Sequence, residues 1–326
     1  MNRTRFHAIT SRYPKLRIAI VGDFCLDRYL EIDPERRETS LETGLPVHNV
    51  VRVRAQPGAA GTILNNLRAL GVRTIWPVGF CGHDGEGHEL RRAMSDLPLR
   101  YFFQTKLRHT FTYCKPLLIH KNKPPEELNR LDTKNWTPTP PTLQNVLIRA
   151  VRALAPRVDA IILLDQVDVP ETGVVTKRLL AAVGKLVKRH PRCFFIGDSR
   201  RGLRDWPPIA LKMNETELAA TGYSSATELA KHHGKPVFVT MAERGILGAL
   251  PDGTVEQLPA LPVRGPIDIV GAGDAVTANL TTAWVAGATL REALELANAA
   301  ASVVIHKLGT TGTATVRELK ALVCGN

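Results

Sequence analysis

Apolar and polar residues alternate along this chain in two periods. Short aliphatic or β-branched runs of the kind that form buried strands recur at Arg17–Gly22, Thr74–Gly79, Ala160–Leu164, Cys193–Gly197 and Val237–Thr240. Helical patterns lie between them, at Ala60–Leu70, Glu86–Ser95, Leu143–Leu154, Val174–Arg189 and Glu215–Thr221. After Gly271 the chain reads as helix, Ala272–Gly287 and then the alanine-rich Leu290–Leu308. Strand alternating with helix predicts a mainly parallel sheet covered on both faces. Two segments break the rhythm. Tyr29–Arg54 ends in an alternating run over Val47–Val53, which predicts strands with one exposed face, a small β flap inserted after the first strand. Lys121–Pro141 is polar and proline-rich and reads as a surface excursion, because the α/β pattern resumes after it.

Composition narrows the classes. With 326 residues, 44% of them apolar, the chain can bury the core of one large α/β domain. No apolar run approaches the roughly 20 residues of a membrane span, and the basic start carries no apolar signal core, so a cytoplasmic, membrane-free protein is expected. The five cysteines (25, 81, 114, 193 and 324) include no C-x-x-C pair, which argues against a zinc site or a disulfide framework. His83 and His88 lie five apart, off the i, i+4 face that a helical metal pair needs. Lys and Arg number 43 against 31 Asp and Glu, a net charge of +12 that favours anionic partners. The cations are dispersed, without an arginine-rich tail or a basic stripe interleaved with aromatics, so small anions are expected rather than nucleic acid.

Chemistry concentrates at Asp268-Ile-Val-Gly271-Ala272-Gly273-Asp274, which runs directly into a helical pattern. A glycine turn opening a helix presents backbone N–H groups at the positive end of the helix dipole, where phosphate binds. Phosphoryl transfer needs such donors placed in advance, and a carboxylate at the same turn can take the proton of an attacking hydroxyl. By itself the pattern is also that of an ordinary capped helix. It is not a Walker loop, since no Lys-Ser/Thr follows, and no G-x-G-x-x-G follows the first strand.

The segment resembles the D-x-T-G-A-G-D signature of the ribokinase/PfkB carbohydrate kinases. Within that family the chain is most similar to the kinase domain of bacterial D-glycero-D-manno-heptose-7-phosphate kinases. Val21-Gly-Asp23-Phe-Cys-Leu-Asp27 resembles their opening strand, Gln56-Pro-Gly58-Ala59-Ala-Gly61 the P-G-G-A-A-N sugar turn, and Arg130-Leu-Asp132 a short R-L-D. Gly79 and Gly82-His-Asp84-Gly85 resemble the end of the next strand. Asn214-Glu-Thr-Glu217 resembles N-x-x-E, and Thr240, Gly245, Asn298 and Lys307–Thr310 resemble the adenine- and ribose-pocket segments.

The resemblance implies a ribokinase-like three-layer α/β/α sandwich, a single kinase domain with a β lid at about 29–54, through which two copies would pair. It implies ATP-dependent phosphorylation of a sugar or sugar phosphate, with Asp274 as catalytic base and the N–H groups of Gly271, Ala272 and Gly273 as anion hole. Glu217 and Asn214 would position Mg2+ through water, and Asp268 would neighbour a monovalent cation such as K+. Asp23, Asp27, Gly58, Ala59, Thr62, Lys115, Arg130 and Asp268 would face the sugar, Lys115, Arg130 and Arg200 holding its phosphate. A non-catalytic sugar- or nucleotide-binding relative is the first alternative, set against the presence of Asp274 and Glu217, and a basic nucleic-acid-binding protein, motivated by the +12 charge, is the second.

Five departures stand out. Val270 replaces the signature threonine, Ala59 the second glycine of the sugar turn, and Thr62 the turn's asparagine. The heptose kinases' D-Y-x-K-G becomes Asp165-Gln-Val-Asp168-Val-Pro-Glu-Thr-Gly173, and their D-P-K becomes Asp198-Ser-Arg200. The nucleotidyltransferase domain often fused behind such kinases is expected to be absent, the sequence ending at Asn326.

Overall fold

Seven parallel strands and a two-strand antiparallel extension make one nine-stranded sheet in this computed structural model, which describes residues 1–121, 123–309 and 311–325. Thr310 and Asn326 lie outside the described residues. Across the sheet the order is Val255–Leu258, Ile246–Ala249, Val237–Thr240, Ala210–Asn214, Phe194–Ser199, Ala160–Asp165, Arg17–Gly22, Thr74–Gly82 and Phe102–Thr105. Alternate residues of each central strand feed opposite layers: Ile18, Ile20, Ile162 and Leu164 join one core, Ala19, Val21, Ile161 and Leu163 the other. Helices Ala60–Ala69, Ala272–Val285 and Leu290–Ile305 cover the first face, and Pro141–Leu154, Lys177–Arg189 and Ala226–His233 the second. This is the expected three-layer α/β/α arrangement.

The alternation of the sequence located most of these elements, with shifts at their ends. The helix expected from Val174 begins at Lys177, because Thr176 is its N-cap, its hydroxyl accepting the Leu179 N–H. Val174 and Val175 are buried in the loop before it. Ala210–Asn214 is a strand that the pattern concealed, since Lys212 interrupts its apolar run yet is buried in the sheet.

A second sheet, built from distant segments, joins Leu131–Thr133, Phe111–Leu118, Phe24–Ile32 and Val50–Ala59, with Glu126–Glu127 paired to Phe111–Leu118. The β element expected at 29–54 is therefore only part of this sheet. Much of the expected excursion at 121–141 also belongs to it, because Leu131–Thr133 pairs in register with Cys114–Thr112. Among the described residues no helix is long and apolar enough to cross a membrane.

Candidate active site

The helix Ala272–Val285 begins at Gly271, whose φ of +84° places it in the left-handed region that glycine adopts without strain. The helix interior is packed with small buried residues, among them Ala275, Ala278 and Ala283, which fix its axis against the sheet. Its first-turn donors have no intrahelical acceptor. Ala272 N–H is turned to the Ile269 carbonyl at 3.2 Å, so of the three donors expected at the turn this one is already engaged.

Two adjoining cavities meet at Gly273. One, of about 220 Å³, is lined by Asp274, Gly271, Lys212, Asp198, Glu217, Arg200 and Gln166. The other, of about 570 Å³, has Asn214, Thr240, Gly245, Ala272 and Asn298 in its wall, beside the apolar Ile246, Leu261 and Ile269. The first is charged and suits phosphates; the second has the size and apolar walls of a site for a flat organic group. Both lie at the carboxyl ends of the parallel strands, where α/β sheets place ligands.

Lys212 is the residue the sequence reading missed. Its Nζ donates to Asp198 Oδ2 at 2.9 Å, and the Thr277 hydroxyl donates to the same oxygen at 2.8 Å. A Cβ built on Gly273 would lie 3.0 Å from this ammonium, so glycine there lets the cation reach the turn. Burial alone would lower the Lys212 pKa; Asp198, with Asp274 and Glu217, raises it above the usual lysine value. Only its pairing hinted at it: a lone lysine within an apolar run, Ala210-Leu-Lys-Met, is a buried charge that needs a partner.

Asp274 titrates unlike an ordinary carboxyl. Burial, then the nearby Asp198, push it up to about 7, Lys212 opposes them, and Asp27 adds to the rise. A carboxyl poised there is suited to exchange a proton at neutral pH.

Asn214 and Glu217 form a reciprocal capping box: Glu217 N–H donates to Asn214 Oδ1 at 2.8 Å and Asn214 N–H to Glu217 Oε2 at 2.7 Å. Both also border the cavities, so the box fixes these two residues at the cleft. Burial raises the Glu217 pKa. Among the described residues no cluster of three or more His, Cys, Asp or Glu could cage a metal ion. Oxygen donors such as the Glu217 carboxylate suit a cation that keeps most of its water shell, as Mg2+ does.

Several expected site residues point elsewhere. Asp23 is 2% exposed, its carboxylate accepting N–H bonds from Val174 at 2.7 Å and Gln166 at 2.9 Å. It clamps the 165–174 loop. Beside it, burial and Asp23 push Asp165 up to about 7, eased by Arg201 at 2.7 Å. Thr62 is 1% exposed, its methyl packed against Gly271, so it buttresses the turn instead of lining the cleft. Lys307 donates to the Thr313 carbonyl and pairs with Glu318 at 2.7 Å, away from the cleft wall. Asp268 lines neither cavity; its Oδ1 accepts the Val270 N–H at 3.0 Å and stiffens the turn.

Asp27, on the second sheet, acts on Asp274 through its charge. Burial raises its pKa, and the Cys25 thiol, Lys115 and Arg130 lower it. Gly58 abuts it: a Cβ there would fall 2.3 Å from the Asp27 carboxylate. Ala59 holds a φ of +52°, where glycine would sit at ease. Lys115 lies 3.9 Å from Glu127 and near the Tyr29 ring; Arg130 pairs with Asp132 at 2.8 Å over the Tyr113 ring.

Fold and site together define an α/β/α sandwich with a charged cleft at a glycine turn. The structure superposes on Arabidopsis thaliana ribokinase complexed with ribose and ATP with a TM-score of 0.66 at 19% identity, covering 95% of this chain and 99% of that one. On Escherichia coli phosphofructokinase-2 in complex with substrates and products the TM-score is 0.70 at 15% identity, covering 94% and 98%. The chain thus has the ribokinase fold. Residues 195–316 match the pfkB family of carbohydrate kinases. The bifunctional protein HldE of Gluconacetobacter diazotrophicus is 31% identical over 323 residues, 95% of this chain and 64% of that protein. HldE of Hyphomonas neptunium is 31% identical over 332 residues, 98% of this chain and 65% of that one. This chain therefore spans slightly less than two thirds of the length of these relatives.

Proposed function

We propose that this chain is an ATP-dependent carbohydrate kinase that moves the γ-phosphoryl group to a hydroxyl of a sugar already bearing a phosphate, of the heptose 7-phosphate class. The observation that carries the reading is the meeting, in one cleft, of a carboxyl poised near neutrality, Asp274, with the N–H donors of a helix start and the buried ammonium of Lys212. Asp274 takes the proton of the acceptor hydroxyl as that oxygen attacks. Gly273 and Asp274 N–H with Lys212 Nζ neutralise the charge on the migrating group. Glu217, with Asn214, would hold Mg2+ through water, and the ion would supply further charge neutralisation at the phosphates. The larger cavity walled by Thr240, Gly245 and Asn298 takes the adenine and ribose.

On the sugar side, Lys115 and Arg130 act electrostatically on Asp27. Lys115 at 3.9 Å from Glu127 and Arg200 at 3.6 Å from Asp168 hold their partners loosely enough to turn to a phosphate. The second sheet serves as the lid, excluding water as competing acceptor. Exposed apolar residues on its strands, Val51, Val53 and Leu131, support pairing with a second copy. The deciding experiment screens ADP release against free and phosphorylated heptose, fructose and ribose. Turnover of phosphorylated sugars, lost in Asp274→Asn, is expected; ATP and sugar binding without turnover of any sugar would make the chain a sensor instead.

A further inference from the structure

A cavity of about 670 Å³ opens at the end of the main sheet opposite Asp274. It lies between the first residues of strands Phe194–Ser199 and Ala210–Asn214 and the last turn of helix Ala272–Val285. Four cations rim it: Arg12, Lys15, Arg192 and Lys235. None of the four forms an ion pair among the described residues. The one acid of the rim, Asp159, is already taken by Arg17, through the guanidinium at 2.9 Å and the backbone N–H at 2.8 Å. Arg12 is held in place by the Ala286 carbonyl, to which it donates at 2.8 Å. The wall between these charges is aromatic: Trp284 and Phe194 stack with centroids 5.8 Å apart and planes 26° from parallel, both half-buried.

Like charges gathered around a concave, low-dielectric wall repel one another, and the same geometry focuses their field on an incoming anion. A half-buried aromatic pair offers a flat surface to a planar ring. The volume falls in the range of small-molecule sites. Phe194 in this cavity and Asp198 in the phosphate cleft stand four residues apart on one strand, roughly 13 Å, so the two sites are separate. We infer that this cavity binds a small ligand carrying both a phosphate and a flat ring, of the nucleoside monophosphate class, independently of the Asp274 cleft.

The test titrates the full chain with AMP while a non-hydrolysable ATP analogue saturates the cleft, following both heat and tryptophan emission. Saturable binding is expected, with an emission change that disappears in Trp284→Phe while the heat remains. Asp274→Asn should bind AMP as the unaltered chain does. Arg192→Glu with Lys235→Glu should weaken binding tenfold or more, as losing charge-assisted contacts implies. Arg12→Gln, a milder change, should weaken it several-fold, with circular dichroism confirming that each variant is folded. Adenosine alone and inorganic phosphate alone should each bind at least tenfold less tightly. Heat unchanged in the charge-reversed variant overturns the site, and so does an AMP signal abolished by the ATP analogue. Retention of a long RNA with AMP silent would instead make this face a polyanion surface. Because no turnover is read, failure here leaves the kinase reading untouched, and failure of turnover leaves this site untouched.

Discussion

The cleft beside Asp274 and the second sheet facing it are built in opposite ways. The core of the cleft hangs from the main sheet and the helix packed on it: Asp198, Lys212 and Asn214 from adjoining parallel strands, Asp274 from the buried helix start. Their geometry is set by the same core packing that stabilises the fold. The second sheet and its border draw Asp27, Gly58, Lys115 and Arg130 from segments far apart in the chain, and its cations sit in loose or exposed pairs. The departures from the kinase signatures fall on both: Ala59 lies on the second sheet, whereas Gln166 and Arg200 line the cleft, which keeps Asp198, Glu217 and Asp274. A rigid site for a common reaction next to an adaptable site for a particular substrate is what such a division provides.

The largest test of the contrast is Asp274→Asn. It should lower kcat by roughly 10²–10⁴ while ATP affinity, read by calorimetry, stays within a few-fold. Activity of the unaltered chain should rise with pH to a plateau above about 7, because only the ionised carboxylate accepts a proton. The stability consequence has the opposite sign. A carboxyl raised from 3.8 to about 7 contributes fully below the lower value and loses that contribution as pH rises through the upper one. Asp274→Asn should therefore raise Tm relative to the unaltered chain at pH 8 and not at pH 4.

Lys212→Met comes next. It leaves Asp198 buried without its cation, at about 3–5 kcal/mol of stability, and should lower kcat by at least roughly a hundredfold. Adding Asp198→Asn should restore much of the Tm but none of the rate. Recovery of both together would reduce Lys212 to a structural ion pair and merge the two halves of the contrast.

On the second sheet, Lys115→Gln and Arg130→Gln should each raise KM for a phosphorylated sugar about tenfold, with kcat and the KM for ATP little changed. A fall in kcat instead would show that this sheet, too, takes part in the chemistry. Glu217→Gln should shift the Mg2+ concentration for half-maximal rate upward by a few-fold, because a neutral amide holds the ion's water shell less strongly. An unchanged Mg2+ dependence would return Asn214 and Glu217 to capping alone. The smallest effect is expected at Ala59, where glycine would relieve the positive φ; Ala59→Gly should gain about 0.5–1 kcal/mol in denaturant unfolding.

What this sequence determined by itself were the elements whose signals are local. The parallel-sheet strands show as apolar runs, the helix Glu215–Thr221 as a capped pattern ending at Gly222, and the phosphate turn as glycines leading into a helix. Such signals survive in one dimension because burial, capping and positive φ are imposed residue by residue. Only tertiary structure could show that Lys212, on a buried strand, meets Asp198 of the adjoining strand. The same holds for Asp23, which spends both carboxylate oxygens on the 165–174 loop, and for Leu131–Thr133, which pairs with a strand begun at Phe111. Charge pairing and sheet pairing join residues distant in sequence. Which acid faces the cleft and which is locked behind it is decided by partners that no local pattern names.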